Sequence, residues 1–465
     1  MKKLLATLLA STMALSAIGG LVACGGDGNG DDPNTITVWA PENSHGSEEE
    51  GTGYKGMIAG WKEAYPEYAH YNVRFVAKAE SDVNSSLGNN PAAGAEIFFF
   101  ASDHYRDLVH NKGLQPLTDE YVQQIKARDE KFTYEFVTDD DNKMWAFPTT
   151  NDNGYFLWYN DEYLSEDDVK DLDSLIAACN AQNVHFSFPY GVSWYAASFM
   201  MGMGCKFNYD DEDHYICDAN TPAAKGAAKA MFKYANSANN IDGVKDTKGK
   251  KTDVIVSVED PSAGLADGTI GVAMSYASRY TDIEKAYRNK YTSTATGTVD
   301  EEKLEEALSH LKATVLPTFK ATVDGTTEEK TYHMGTFYGG KYCGVNRSKS
   351  EAKIVASFSL ANWFTKEEGQ KVRFEADGAG PSNKNAAALE NVQKSIGIQA
   401  YKAQVALGDE TNCIQGAQKG TFWENINKFS EGVFERKVDA GSDVDYTTEI
   451  GMLAQLAKIA ADIGN

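Results

Sequence analysis

The run Ile97-Phe98-Phe99-Phe100 is continuous and apolar, and it stops abruptly at Ser102-Asp103-His104. A short uninterrupted apolar run suits a strand buried on both faces of a parallel sheet. In an open α/β sheet, ligands bind beyond the carboxyl end of such a strand. A carboxylate and an imidazole placed there offer hydrogen-bond acceptors and a donor to a polar solute. The usual signatures of covalent or metal chemistry are missing. The 8 histidines form no HExxH or other paired spacing, and no GxSxG, phosphate-binding loop or CxxC occurs. Asp139-Asp140-Asp141-Asn142 lacks the glycine and terminal glutamate of a calcium loop and reads as a solvated turn. No cofactor or metal is implied.

Around this stretch the pattern predicts an α/β chain. Residues 35–40 alternate and are β-branched, which predicts a first strand, followed by a polar, acidic loop over 41–53. Met57, Ile58, Trp61 and Tyr65 fall at helical spacing before Pro66, and 71–76 reads as a second strand. A helix starts at Tyr105. Strand–helix alternation of this kind predicts a doubly wound parallel sheet. Further strands are expected at 155–160, 186–188 and 268–274, with a turn at 151–154. Helices are expected at 171–179, at 193–203 (small, apolar and buried), from Pro222 behind a Thr221 cap, and at 351–374 and 447–463. Residues 292–302 read as a polar insertion.

At 465 residues the chain is long for one core and suits two domains or lobes. Its formal charge of −23 comes without a basic face, which argues against nucleic acid and anionic membrane surfaces as partners. The 7 Trp and 24 Tyr supply more amphipathic ring surface than core packing needs, and such rings bind with one flat face. Lys2-Lys3 and the apolar stretch to Ile18 form a secretory leader, 1–23, too short to span a membrane as a mature helix. It closes on Leu21-Val22-Ala23-Cys24, a lipobox that makes Cys24 the lipidated first residue. Residues 24–33 form a lipidated, flexible tether that holds the folded body at the outer face of a membrane. Cys205 and Cys217 flank Asp210-Asp211-Glu212-Asp213 in an expected hairpin, and either pair across it or stand as two small hydrophobes.

Six segments follow one another in a specific order. They are Glu96 to Tyr105 with Gly113-Leu114-Gln115-Pro116-Leu117; Ala146-Phe147-Pro148 before Tyr159-Asn160; and Gly268 to Met274. Val315-Leu316-Pro317-Thr318-Phe319-Lys320, the helix end Asn362-Trp363-Phe364-Thr365-Lys366-Glu367-Glu368-Gly369, and Lys419-Gly420-Thr421-Phe422-Trp423 complete the series. Together they resemble the extracellular solute-binding proteins of ABC importers, of the maltose/maltodextrin-binding type, over nearly the whole mature chain. The resemblance implies a two-lobed periplasmic-binding-protein fold, type II-like, that closes over a sugar about a hinge. One lobe would comprise about 34–149 and 342–381, the other 150–341 and 382–465. Crossings would lie near Thr149-Thr150, Gly339-Gly340 and Pro381.

A sugar presents hydroxyls at its edges and C–H faces on its rings, so its site needs carboxylates or amides at the edges and aromatic planes against the faces. By resemblance, Asp103 keeps the family's carboxylate, a charge-assisted acceptor, although it can also cap the helix from Tyr105. Phe100 stands where a Trp is usual and His104 where an Arg is usual. Glu42 and Asn43 occupy a loop with polar sugar contacts, or are simply solvated. Asp152 and Asn153 match a carboxylate position within one residue, or form an Asx turn. Trp423 in its Thr-Phe-Trp setting matches the sugar-stacking Trp. Tyr280 falls at an aromatic platform within reach of Arg279, and Trp194 and Tyr195 at another contacting loop; core packing is the alternative for these. The implied function is that of a lipid-anchored, monomeric receptor that hands an oligosaccharide, malto-oligosaccharide first, to a membrane permease without covalent change. A different oligosaccharide and, from another class, a secreted glycoside hydrolase with a carboxylate pair are the competing expectations.

Overall fold

The computed structural model describes residues 32–464, apart from 89, 211–213, 409–412, 417, 419 and 440–442. Cys24, with the leader and most of the tether, lies outside the described residues, as do Asp211, Glu212 and Asp213.

Two five-stranded sheets organise the chain. The first has the order Asn72–Ala77, Thr35–Ala40, Ile97–Ala101, Lys341–Val345, Phe147–Pro148. The second runs Ile255–Val256, His185–Ser187, Ile270–Ser275, Phe156–Asn160, Leu311–Thr314. Ile97–Ala101 is buried at every residue, as its apolar run requires, and so are Phe156–Asn160 and Ile270–Ser275. Each large apolar side chain so removed from water stabilises the fold by roughly 1.5–3 kcal/mol.

The expectation of a parallel sheet is corrected: both sheets are mixed. Thr35–Ala40 pairs in parallel with its two neighbours, whereas Lys341–Val345 is antiparallel to Ile97–Ala101 and to Phe147–Pro148. In the second sheet Phe156–Asn160 is the antiparallel strand. Lys341–Val345 reaches the first sheet only after the chain has built the second. No right-handed strand–helix–strand crossover therefore dictates its direction.

Three expected helices divide. The segment with Met57, Ile58, Trp61 and Tyr65 at helical spacing forms two helices, Gly53–Gly56 and Ile58–Ala64, and 193–203 becomes Ser193–Ala196 and Ser198–Gly202. The 351–374 pattern becomes Glu351–Phe364 and Glu367–Asp377. At that break the Thr365 hydroxyl donates back to Ala361 O at 3.0 Å and accepts from Arg128 Nη2 at 3.0 Å. Such side-chain competition for the backbone favours a helix end. The Thr221 cap is present, accepting from Ala224 N at 3.2 Å ahead of Pro222–Ala235.

Trp61, Phe98, Phe100, Tyr342 and Phe358 belong to the core around the first sheet, and two further cores cover the faces of the second. Three extended segments run side by side between the sheets. Thr149 N donates to Lys341 O at 2.9 Å, Asn151 N donates to Gly380 O at 2.9 Å, and Thr150 bridges Pro381. A Cβ on Gly340 would stand 2.3 Å from Thr150 O, so the close approach of these strands requires glycine there. In the hairpin Phe207–Tyr209 and Tyr215–Cys217, Phe207 lies opposite Cys217. Cys205 packs instead beside Thr221 Oγ1 at 4.0 Å, and no disulfide joins it to Cys217. Among the described residues no helix is long and apolar enough to cross a membrane.

Candidate functional site

A cavity of about 440 Å³ opens between the first core and the second. Its walls are strand ends. Asn43 follows Thr35–Ala40, Glu80 and Ser81 follow Asn72–Ala77, and Asp103 follows Ile97–Ala101. Opposite them, Trp194 and Tyr195 follow His185–Ser187, Glu259 follows Ile255–Val256, and Tyr276 follows Ile270–Ser275. All six strands run with their carboxyl ends toward the same space, where ligands of open α/β sheets bind. Asp152 and Asn153 from one connecting segment and Lys341 from another also line it, with Arg373 and Asp377.

Arg373 organises the charge. Its guanidinium holds Glu80 with both nitrogens, at 2.9 and 3.2 Å, and Asp377 through Nε at 2.6 Å. Burial is the largest influence on the Glu80 carboxyl and pushes it up, but the Arg373 charge, the Lys341 charge and the Arg373 hydrogen bonds together outweigh it and leave that group below its ordinary value. Burial raises Asp377, which Arg373 and the Ala379 amide only partly offset. Asp152 is pushed up to about 6 by burial, although Gly380 N donates to it at 2.6 Å.

That raised value has a defined sign. A carboxyl whose folded value exceeds its unfolded one favours the folded state at low pH, and this contribution is lost as pH rises from about 4 through about 6. The full difference is about 3 kcal/mol, taking about two units at roughly 1.4 kcal/mol each. Asp152→Asn keeps an acceptor for Gly380 N and is expected to flatten this part of the stability–pH curve. Urea unfolding of both proteins at pH 4, 6 and 8 checks it, and curves that stay parallel would refute it.

Trp194 joins Tyr195 and Tyr276 as an aromatic side chain of the cavity lining. It packs on Phe337, with ring centroids 4.8 Å apart, and on Trp423 at 5.8 Å. Gly416 lies against it; a Cβ there would come 3.0 Å from the indole. Across the cleft Asn153 Nδ2 donates to Ser102 Oγ at 3.3 Å.

Of the residues expected from sequence, Asn43, Asp103, Asp152, Asn153, Trp194 and Tyr195 converge on the cavity. Six others do not line it. Phe100 is fully buried between Phe98 and Tyr342, because a strand covered on both faces turns none of its rings to a cleft. His104 turns to Asp103, with Nε2 at 3.6 Å from the carboxylate. Glu42 is exposed on a short 3-10 turn beside Asn43. Arg279 lies beneath the wall, held by Asp260 at 3.1 Å and Asp282 at 2.8 Å. Tyr280 packs on Trp158, 6.0 Å between centroids. Trp423 stands behind Trp194, against Phe337 and Phe422. Asp103 makes no helix cap; the capping position falls on His104, without a side-chain bond.

Glu80, Glu259 and Tyr276 also line the cavity. Glu80 and Tyr276 each follow an expected strand, where the strand-end rule applied to Asp103 would find them. Glu259 follows Ile255–Val256, a two-residue strand that the sequence pattern does not predict. Arg373 and Asp377 had no such signal, since they sit on a helix that read only as amphipathic.

The sequence matches the family of bacterial extracellular solute-binding proteins over residues 60–400. The chain belongs to that family. In structure this solute-binding protein is similar to the maltodextrin binding protein MalE1 from L. casei BL23, with 17% identity and a TM-score of 0.69 over 93% of this chain and 99% of that one. It is similar to the maltose-maltodextrin binding protein of Alicyclobacillus acidocaldarius, at 15% identity and a TM-score of 0.65 over 93% and 100% of the two chains. The Thermus thermophilus maltotriose binding protein bound with maltotriose gives 14% identity and a TM-score of 0.64 over 92% and 99%. At such identities the likeness is one of fold, and the fold is the two-lobed periplasmic-binding-protein architecture. No curated protein matches the sequence.

Proposed function

We propose that this solute-binding protein captures an oligosaccharide, malto-oligosaccharide first, in the cavity between its cores and delivers it to an ABC permease in the membrane. One observation carries the proposal: the cavity combines Trp194 and Tyr195 with Asn43, Asp103, Asp152 and Asn153, ring faces beside carboxylate and amide edges. Three of its structural neighbours are described as binding maltose, maltodextrin or maltotriose, which favours glucans over other sugars. The lobes comprise about 34–149 with 342–381 and 150–341 with 382–465, and the hydrogen-bonded segments at 149–151, 339–341 and 380–381 serve as the hinge. The lipid on Cys24 and the tether hold a monomeric receptor at the outer face of the membrane. No covalent change is made to the solute.

Calorimetry of the mature protein with maltotriose and maltotetraose, with chromatography of the same mixtures, tests this. Heat of binding with intact sugar is expected. Cleaved sugar would replace the receptor by a glycoside hydrolase, and no heat with any glucan would remove the maltodextrin assignment.

A further inference from the structure

The two cores also meet at a point that does not line the cavity. Arg106, on the Tyr105–His110 helix that follows Ile97–Ala101, is exposed and places its guanidinium carbon 4.2 Å from the ring centroid of Tyr209. Tyr105 and Leu108 anchor that helix in the first core, while Phe207, at the start of the Tyr209 strand, is buried in the second. The pair therefore joins bodies connected otherwise by the segments at 149–151, 339–341 and 380–381 and by contacts beside the cavity.

The hairpin that carries Tyr209 is tied to the cavity wall. Tyr215, opposite Tyr209 in register, meets its ring edge-on at 5.1 Å and donates its hydroxyl to Gln418. Gln418 is buried, and its amide donates to Phe207 O at 2.6 Å. Two residues earlier, Gly416 abuts the Trp194 indole and comes close to Ser102 of the first core. A shift of the hairpin relative to Arg106 thus moves the backbone on which Trp194 rests.

We propose that Arg106 and Tyr209 form a latch that sets how long a solute is retained, although neither residue touches it. The proposal rests on the cavity being the solute site. A cation–π contact across two bodies exists only while they are apposed, so its free energy weighs on the closed side of an open–closed equilibrium. Bound solute leaves through the open form. Weakening the latch therefore speeds dissociation and leaves the contacts inside the cavity intact.

The test is a double-mutant cycle on the mature protein with maltotriose as probe, read by stopped-flow tryptophan fluorescence. Arg106→Ala and Tyr209→Ala are each expected to speed dissociation about three- to tenfold, the range of a partly exposed cation–π contact. The double variant should be no faster than the faster single one, and Tyr209→Phe, which keeps the ring, should stay near wild type. Small-angle scattering of the unliganded proteins gives an independent readout, with a larger radius of gyration expected for both alanine variants. Unchanged rates, or single effects that add fully in the double variant, would overturn the latch. Where the wild type binds no glucan, the proposed solute fails and the latch stands or falls on the scattering alone: an unchanged radius of gyration rejects it.

Discussion

Arg373→Ala is expected to destabilise the protein by about 3–5 kcal/mol, the cost of removing one partner from a buried ion network. Arg373 is 3% exposed, Asp377 6% and Glu80 9%, so water cannot replace the lost guanidinium. Three charge-assisted hydrogen bonds disappear together, and two carboxylates stay behind in the wall of the cavity. Against a typical domain stability of roughly 5–15 kcal/mol, such a loss is severe. Its pH dependence identifies the cause. Burial is the largest influence on both carboxyls, and without Arg373 only the Lys341 charge on Glu80 and the Ala379 amide on Asp377 still oppose it. Both groups then protonate at higher pH than usual, and the deficit of the variant shrinks as the pH is lowered toward 5. Urea unfolding at pH 5 and 8 measures it. A loss below about 1 kcal/mol at pH 8 would mean that solvent reaches the network, as in an exposed pair.

Trp194→Ala is expected to weaken solute binding by about 2 kcal/mol, roughly 30-fold, as truncation of a central aromatic contact does. Its ring lines the cavity and is backed by Phe337 and Trp423, so it enters the complex already ordered. The resemblance to maltodextrin-binding proteins gave this effect to Trp423, but in the fold Trp423 supports Trp194 from behind. Trp423→Ala should therefore weaken binding by less, acting only through the ring in front of it. Calorimetric titration of both variants with maltotriose ranks them. A larger loss for Trp423→Ala would return the platform to that residue.

The strand at Ile97–Ala101 and the turn after it were legible because a short apolar run cut by polar residues is a local pattern. The same holds for Asn43, Asp103, Asp152 and Trp194, each lying a few residues past a strand or at a turn. Phe100, expected at the site, does not line the cavity, for a physical reason. In a strand covered on both faces, alternation no longer distinguishes a side that meets ligand from a side that meets core. Trp423 likewise lies outside the cavity lining, on a helix where spacing marks an apolar arc without saying what covers each part of it.

From sequence alone came the alternation of strands and helices, the strand ends where a ligand would lie, and the absence of the usual catalytic motifs. All of these are properties of neighbours along the chain. The tertiary structure alone decided that Glu80, Arg373 and Asp377 share one buried network and that Lys341–Val345 enters its sheet antiparallel. It also decided that Trp194, with Trp423 behind it, faces the cavity. Each depends on segments far apart in the chain meeting across a closed fold. Local periodicity carries no record of such a meeting, because it reports how much of a side chain is buried and not which partner buries it.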